Sequence, residues 1–408
     1  MSTTTMPTGI GALLSHRSFL FFLLSRSLSR FSSLIAIVAF GWQVYDLTGS
    51  AFALGMMGLV GFLPTALLVF VAGNVADRYE RKRILQACQF LEALTALLLA
   101  WGAFAGWLNV VDIFIAVLVL GTTAAFENPA TAALLPLVVP EGAVQRATAL
   151  SSGSAQLATI MGPALGGIAY AVSPGLPYAI MVVFWLIAAI CAGAVRLVQP
   201  AAPKGAATPG DLYGGVRFIR NHPTILGTLS LDLFAVLFGG VVALLPIYAR
   251  DILQTGPWGL GILRAAPAVG ALVTTAVLAR QPIDRRVGMR MFQAAIIFGV
   301  ATVAFSLSHW MWLSVVALAV LGAADTVSVV IRFSLVQLAT PNEMRGRVGA
   351  VNFLFINASN NLGQFESGVT AALFGAMPAA VLGGVATVAI ALLWMKLFPT
   401  LRDVERLE

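Results

Sequence analysis

Long, uninterrupted apolar runs of roughly 20 residues recur along this chain, and each is long enough to cross the hydrocarbon core of a bilayer. One of them reads VVDIFIAVLVLGTTAAF, residues 110–126. A soluble core could absorb one or two such runs, but not a dozen. In lipid every backbone N–H and C=O must be satisfied within the protein, which leaves only helices and closed barrels. These runs are continuous rather than alternating, so they predict helices. Composition agrees. Of the 408 residues, 59% are hydrophobic and 10% charged, where a soluble domain carries about 25% charged residues.

The runs predict twelve spans: 19–47, 51–76, 84–106, 110–139, 147–172, 177–198, 224–250, 257–280, 291–308, 311–339, 347–374 and 378–398. The polar segment before residue 19 lacks a short apolar core with a cleavage site, so the first run is expected to be a retained span. Lys and Arg fall mostly at the two ends and in the even-numbered connections, as with Arg78, Arg81, Lys82 and Arg83, Arg285 and Arg286, and Arg345 and Arg347. The odd-numbered connections hold Arg250 alone. Cytoplasmic loops retain positive charge, so both termini are expected in the cytoplasm. This asymmetry accounts for the formal charge of +7 without nucleic acid, and a secondary role for the basic loops is contact with anionic headgroups. Cys88 and Cys191 sit inside apolar runs, which argues against a disulfide framework.

Residues 199–223 are rich in Pro, Gly and Ala and read as a flexible cytoplasmic linker. They divide the chain into an N-terminal six-helix bundle, 1–198, and a C-terminal one, 224–408. The halves repeat. Asp77-Arg78 after span two matches Asp284-Arg285 after span eight, 207 residues later, and Pro140 and Arg146 match Pro341 and Arg347 at an offset of 201. Two pseudo-symmetric bundles in parallel repeat imply a binding site near the midplane between them, as in a transporter that rocks its halves.

On these residues the chain resembles the major facilitator superfamily. Gly73-Asn74-Val75-Ala76-Asp77-Arg78-Tyr79-Glu80-Arg81-Lys82-Arg83 is similar to the signature loop between spans two and three, with Glu80 where the family pattern has Gly. Gly73 is expected to allow close helix approach. Asp77, Arg78 and Arg81, with Asp284 and Arg285 in the second half, are expected to form a cytoplasmic latch; the alternative is that these charges only orient the protein. Gly162, Pro163, Gly166 and Gly167 in span five resemble the antiporter motif G-P-x-x-G-G, which implies export; the alternative is small-residue packing. The stretches LTGSAFALGMMGL, GILRAAPAVGAL, NEMRGRVGAVN and LGQFESGVTAALFG are similar to the branch that holds enterobactin exporters and macrolide-efflux proteins. That resemblance implies the bacterial inner membrane and a siderophore or drug as cargo.

Ionisable groups inside spans are functional candidates. Glu366 lies in an apolar, glycine-rich run, and Gly363 and Gly368 are expected to make room for it. It reads as a proton or cargo carrier, an arginine's partner, or a neutral packing acid. Glu127, just before Pro129, is read as cavity-lining or proton-exchanging, or as a satisfied acid at a kink. Arg26 and Arg30 share one face of span one. Asp232 is expected to pair with one of them when the inner gate is closed, unless the arginines attract an anionic cargo. Asp325 and Arg332, seven apart on one face, are expected to neutralise neighbours within the second half. Glu92 is expected to reach the basic loop as a structural acid, and Arg264 to serve as a gate or headgroup residue. Trp101, Trp107, Trp310 and Trp312 read as interfacial anchors, whereas Trp42 and Tyr45 could line the outer cavity.

No phosphate-cradling Gly-rich loop is present. His16, His222 and His309 lie near ends or loops without metal-ligand spacing, and no catalytic triad is visible. The expectation is therefore a monomeric, proton-driven exporter of small amphipathic molecules with membrane lipids around it. Neither enzymatic activity nor any cofactor is expected. A lipid or lysophospholipid flippase of the same fold is the alternative.

Overall fold

The apolar runs are helices in the computed structural model, which describes residues 10–140, 142–198, 211–283, 285–341 and 344–406. Twelve long helices follow in order: α1 Arg17–Thr48, α2 Ala51–Arg78, α3 Arg81–Ala105, α4 Val110–Leu134, α5 Val144–Val172, α6 Leu176–Ala194, α7 Pro223–Phe238, α8 Gly256–Arg280, α9 Val287–Ser306, α10 Met311–Ala339, α11 Arg345–Phe374 and α12 Ala376–Leu397. The fold is all-α, with no strand among the described residues. Local chemistry sets several boundaries. Gly106, at φ 75°, ends α3 in the left-handed conformation that glycine tolerates. Asn109 caps α4, accepting from the amides of Val111 and Asp112 while Asp112 accepts from the Asn109 amide.

The polarity of these helices runs opposite to that of a soluble bundle. Along α3, Phe90, Leu94, Leu97 and Trp101 form one exposed stripe, while Gln89, Glu92 and Ala96 are buried on the opposite side. Apolar side chains face outward, as a lipid solvent requires, and the few polar ones point in. Trp101, Trp107, Trp310 and Trp312 are all exposed near helix ends, as expected of anchors.

Among the described residues, eleven segments are long and apolar enough to cross a membrane, and α11 is not one of them. It carries Asn352, Asn357, Asn360, Asn361, Gln364 and Glu366. Three of these amides are satisfied within their own helix: Asn357, Asn360 and Asn361 donate to the carbonyls of Phe353, Ile356 and Asn357 at 2.8–2.9 Å.

By packing, the chain forms two compact units, Met1–Gln43 with Leu63–Ala206, and Val44–Phe62 with Ala207–Glu408. The tips of α1 and α2 thus sort with the second unit rather than with the half that precedes them in sequence. Three contacts explain this. Arg250 pairs with Asp46 at 3.0 Å, Tyr45 donates to Asp251, and α2 meets α11 almost backbone to backbone. A Cβ on Gly368 would lie 2.4 Å from the Cα of Gly55.

One span and the linker differ from their expected form. The seventh is not one helix: α7 stops at Gly239-Gly240, and a 3₁₀ turn, Val241–Leu244, and a π turn, Tyr248–Ile252, carry the chain onward. Gly363 of α11 fits beside the end of α7, where its Cβ would sit 2.9 Å from the Leu237 carbonyl oxygen. The expected linker is in part a helix, Asp211–Asn221, while residues 199–210 lie outside the described residues. Its Ile219 is buried with Ile225, Val348 and Val351, and Gly215 lies close to the Arg347 carbonyl. Burial against α11 orders a segment whose Pro, Gly and Ala content suggested flexibility.

Candidate functional site

The first unit gathers its inward polar groups between α1, α3 and α4. Gln89 and Glu92, three apart on α3, share a face; so do Thr123 and Glu127, four apart on α4. Glu127 Oε1 accepts from Ser29 Oγ at 3.0 Å and from Gln89 Nε2 at 2.9 Å. Ser25 Oγ donates to Gln89 Oε1 at 3.1 Å, which fixes the amide orientation. Thr123 Oγ1 donates to Glu92 Oε1 at 2.6 Å, and Glu92 Oε2 has no partner. The result is a buried run of neutral donors that holds two carboxylates. Arg26 lies close enough to act on Glu127 electrostatically, but its Nη1 donates to Ser151 Oγ at 2.6 Å. Among the described residues neither Arg26 nor Arg30 forms an ion pair with Glu127.

Glu92 is the member of this cluster that sequence reasoning did not place there. It was expected to reach the basic loop; instead it is 3% exposed and turned onto α4. The signal that could have found it is the pair of matching polar faces on α3 and α4. Only the register between the two helices turns those faces into one cluster.

The second unit holds its acids differently. Arg332 of α10 forms a buried ion pair with Asp232 of α7, with both side chains under 9% exposed. The partner of Asp232 in this structure is therefore Arg332, and not Arg26 or Arg30, the partners expected with the inner gate closed. Both partners lie in one unit, where α10 packs beside α7, and proximity within a bundle wins over matched depth in opposite halves. Arg332 thus neutralises a neighbour in the second half, as expected, but Asp325 has no hydrogen bond or ion pair among the described residues. It lines a cavity of about 20 Å³ with Asp232, Ser328, Ala294, Ala295 and Phe298. A cavity of that size has room for one water.

The other candidates fall as follows. Glu366 Oε1 accepts from Thr370 Oγ1 at 2.7 Å, one turn along its own helix. Gly363 and Gly368 do not make room for it: they face Leu237 and Gly55, so their missing side chains serve helix approach instead. Gly162 and Gly166 do the same for α5 against α1, where added Cβ atoms would lie 2.8 Å from Leu34 Cβ and 3.1 Å from Ile35 Cα. Pro163 and Gly167 are buried beside them. Gly73, by contrast, has open space where a Cβ would be, so the close approach expected there is absent. In the loop motif Arg78 is exposed and Arg83 pairs with Glu80 at 2.6 Å. The Arg81 Nε is buried without a partner, and Arg285 is exposed. The Asp77 side chain and Asp284 lie outside the described residues. The Arg264 Nε is buried and unpartnered, which does not fit a headgroup contact.

A family model described as a transmembrane secretion effector matches residues 8–407. The chain belongs to that family, within the major facilitator superfamily. The chain is 27% identical over 401 residues to the MFS-type transporter YvqJ of Bacillus subtilis (strain 168), covering 96% of this chain and 94% of that one. It is 27% identical over 358 residues to the multidrug efflux pump Tap of Mycobacterium tuberculosis, 82% of each chain. To macrolide efflux protein A of Streptococcus pyogenes it is 26% identical over 253 residues, 61% of this chain and 62% of that one. Among solved structures, a bacterial homologue of the lysosomal transporter Spinster, inward-facing and occupied, superposes with a TM-score of 0.73 at 14% identity, covering 94% and 97%. A bacterial homologue of ferroportin, inward-facing, superposes with a TM-score of 0.71 at 17% identity, covering 96% and 99%. These likenesses establish the fold: twelve helices in two bundles. The chain is a membrane transporter, not an enzyme.

Proposed function

We propose that the chain exports small amphipathic molecules, a siderophore or a drug, from the cytoplasm across the bacterial inner membrane by proton antiport, with both termini cytoplasmic. Membership of a transporter family and likeness to two efflux proteins support export. One observation carries the coupling: Glu127 is held by the neutral donors Ser29 and Gln89, with no cation in contact among the described residues. An acid locked to an arginine gives up its proton-binding capacity to the pair. An acid held by a hydroxyl and an amide keeps it, because a serine hydroxyl donates to a carboxylate or accepts from a carboxylic acid. Glu127 can therefore load and unload without rearranging its neighbours.

The test is cargo-evoked proton movement in sealed proteoliposomes. A macrolide, a catecholate siderophore and a lysophospholipid are offered in separate arms. At least one of the first two should evoke counter-movement of protons, and Glu127→Gln should reduce it to the protein-free background. Undiminished proton movement in the variant overturns the role of Glu127. Transport of the lysophospholipid alone replaces the cargo assignment with a flippase.

A further inference from the structure

Four arginines lie inside the spans, and three of them have a partner or an acid in reach. Arg332 pairs with Asp232, Arg26 donates to Ser151, and Glu127 acts electrostatically on both Arg26 and Arg30. The fourth, Arg264, has neither. Its Nε is buried without an acceptor, and it forms no hydrogen bond or ion pair among the described residues. Nor does it face lipid. The exposed valines of α8, Val269, Val273 and Val277, lie about 140–180° around the helix from it. Leu260 and Ala268, one turn to either side of it, are buried.

No described acid of the second unit meets this arginine. On α10, Gly322 packs on Pro267 and Ala319 on Gly270, an antiparallel register that sets Asp325 level with Arg264. Asp325 nonetheless turns to the other side, into the cavity lined by α7, α9 and α10, to which α8 contributes no residue. Asp232 is held by Arg332 and Glu366 by Thr370, while Asp46 and Asp251 serve Arg250 and Tyr45. An orphan acid and an orphan arginine are not equivalent. A buried carboxylate can take up a proton and become neutral, whereas a guanidinium stays charged at any pH a protein meets. Asp325 and Glu92 can therefore be neutralised by a proton, but Arg264 only by an anion. Among the described residues the chain supplies none.

We propose that Arg264 is a cargo-recognition residue: it takes the ionised acid group of an amphipathic molecule, a carboxylate or a catecholate, and so selects acids over neutral and cationic molecules of the same size. The planar guanidinium presents parallel N–H donors that match the two oxygens of either group. An anion on the edge that carries Nε also supplies the acceptor this nitrogen lacks. The inference rests on the exporter reading and narrows its cargo to an acid of siderophore type rather than a basic drug.

Fluorescence titration of the purified full-length protein in neutral detergent tests it, at a pH well above the pKa of the probe acid. The probes are dansylaminoundecanoic acid and its uncharged carboxamide, which differ only at the end the arginine reads. The wild type should bind the acid about tenfold tighter than the amide, as a charge-assisted hydrogen bond implies. Arg264→Gln should bind the two alike while its affinity for the amide stays within about twofold of the wild type, which a distorted protein would not preserve. Equal affinities in the wild type, no binding of the acid, or an undiminished preference in Arg264→Gln overturns the proposal. Phosphatidylglycerol equimolar with the probe should not displace it; displacement reassigns the arginine to a lipid phosphate and overturns the cargo role. Where Arg264→Gln fails to fold, Arg264→Lys decides. It keeps the charge but loses the paired donors, so the preference should fall at least threefold, and an unchanged preference overturns the inference. Binding in detergent needs no gradient, so a failure here leaves the proton-movement test standing, and a failure there leaves this one.

Discussion

The two units handle buried acids in opposite ways. In the first, Glu92 and Glu127 are held by Thr123, Ser29 and Gln89, which are neutral donors. In the second, Asp232 is held by the full charge of Arg332, while Asp325 a short way off has no hydrogen bond or ion pair among the described residues. The sequence repeat that relates the halves in their loops does not extend to these interiors. A neutral cradle tolerates either protonation state, whereas an ion pair fixes its members as charges and makes their environment depend on staying paired. The contrast suggests a division of labour, with exchange in the first unit and a charge-dependent tie in the second.

That contrast can be broken most easily at Arg332. Replacing Arg332 with Met leaves Asp232 as an uncompensated buried charge and should cost about 3–5 kcal/mol, read as thermal unfolding in detergent; the double variant Asp232→Asn/Arg332→Met should recover most of it. A double variant no more stable than the single one would show that the pair is not the tie described here. The first unit should respond less. Thr123→Val strips from Glu92 its only donor among the described residues and should cost about 1–3 kcal/mol in the same measurement. Glu127→Gln preserves an oxygen that accepts from Ser29 and Gln89, so its stability cost should stay below about 1 kcal/mol even where proton movement is lost. A cost as large as that of Arg332→Met would mean that Glu127 is held as an anion. The smallest effect is expected at Ser151→Ala, which removes one hydrogen bond from a half-exposed arginine, about 0.5–1.5 kcal/mol or less.

The helices were legible because lipid leaves one solution for an apolar run, and the loop charges gave their order. Where the reading failed, information from a second helix was needed. Gly239-Gly240 breaks the seventh span because Gly363 of another helix fits beside it. Glu92 looked like a loop-facing acid because its depth on α3 was readable and its rotation against Thr123 was not. Asp232 and Arg332 lie a hundred residues apart, and nothing in either local sequence announces the other. Glu127, Asp325 and Arg26 were recognisable as unusual from their apolar surroundings alone, but not as members of separate clusters. Residue type shows which side chains are costly to bury. Which partner offsets that cost is a property of how helices are turned against one another.

The near-touching of Gly55 and Gly368 has a mechanical consequence. Where two helices meet at bare glycine, parting them at that point uncovers little greasy surface, and there only the Phe52–Phe365 edge contact has to repack. Such a seam depends on backbone shape rather than on a fitted set of side chains, unlike a joint of interlocked leucines.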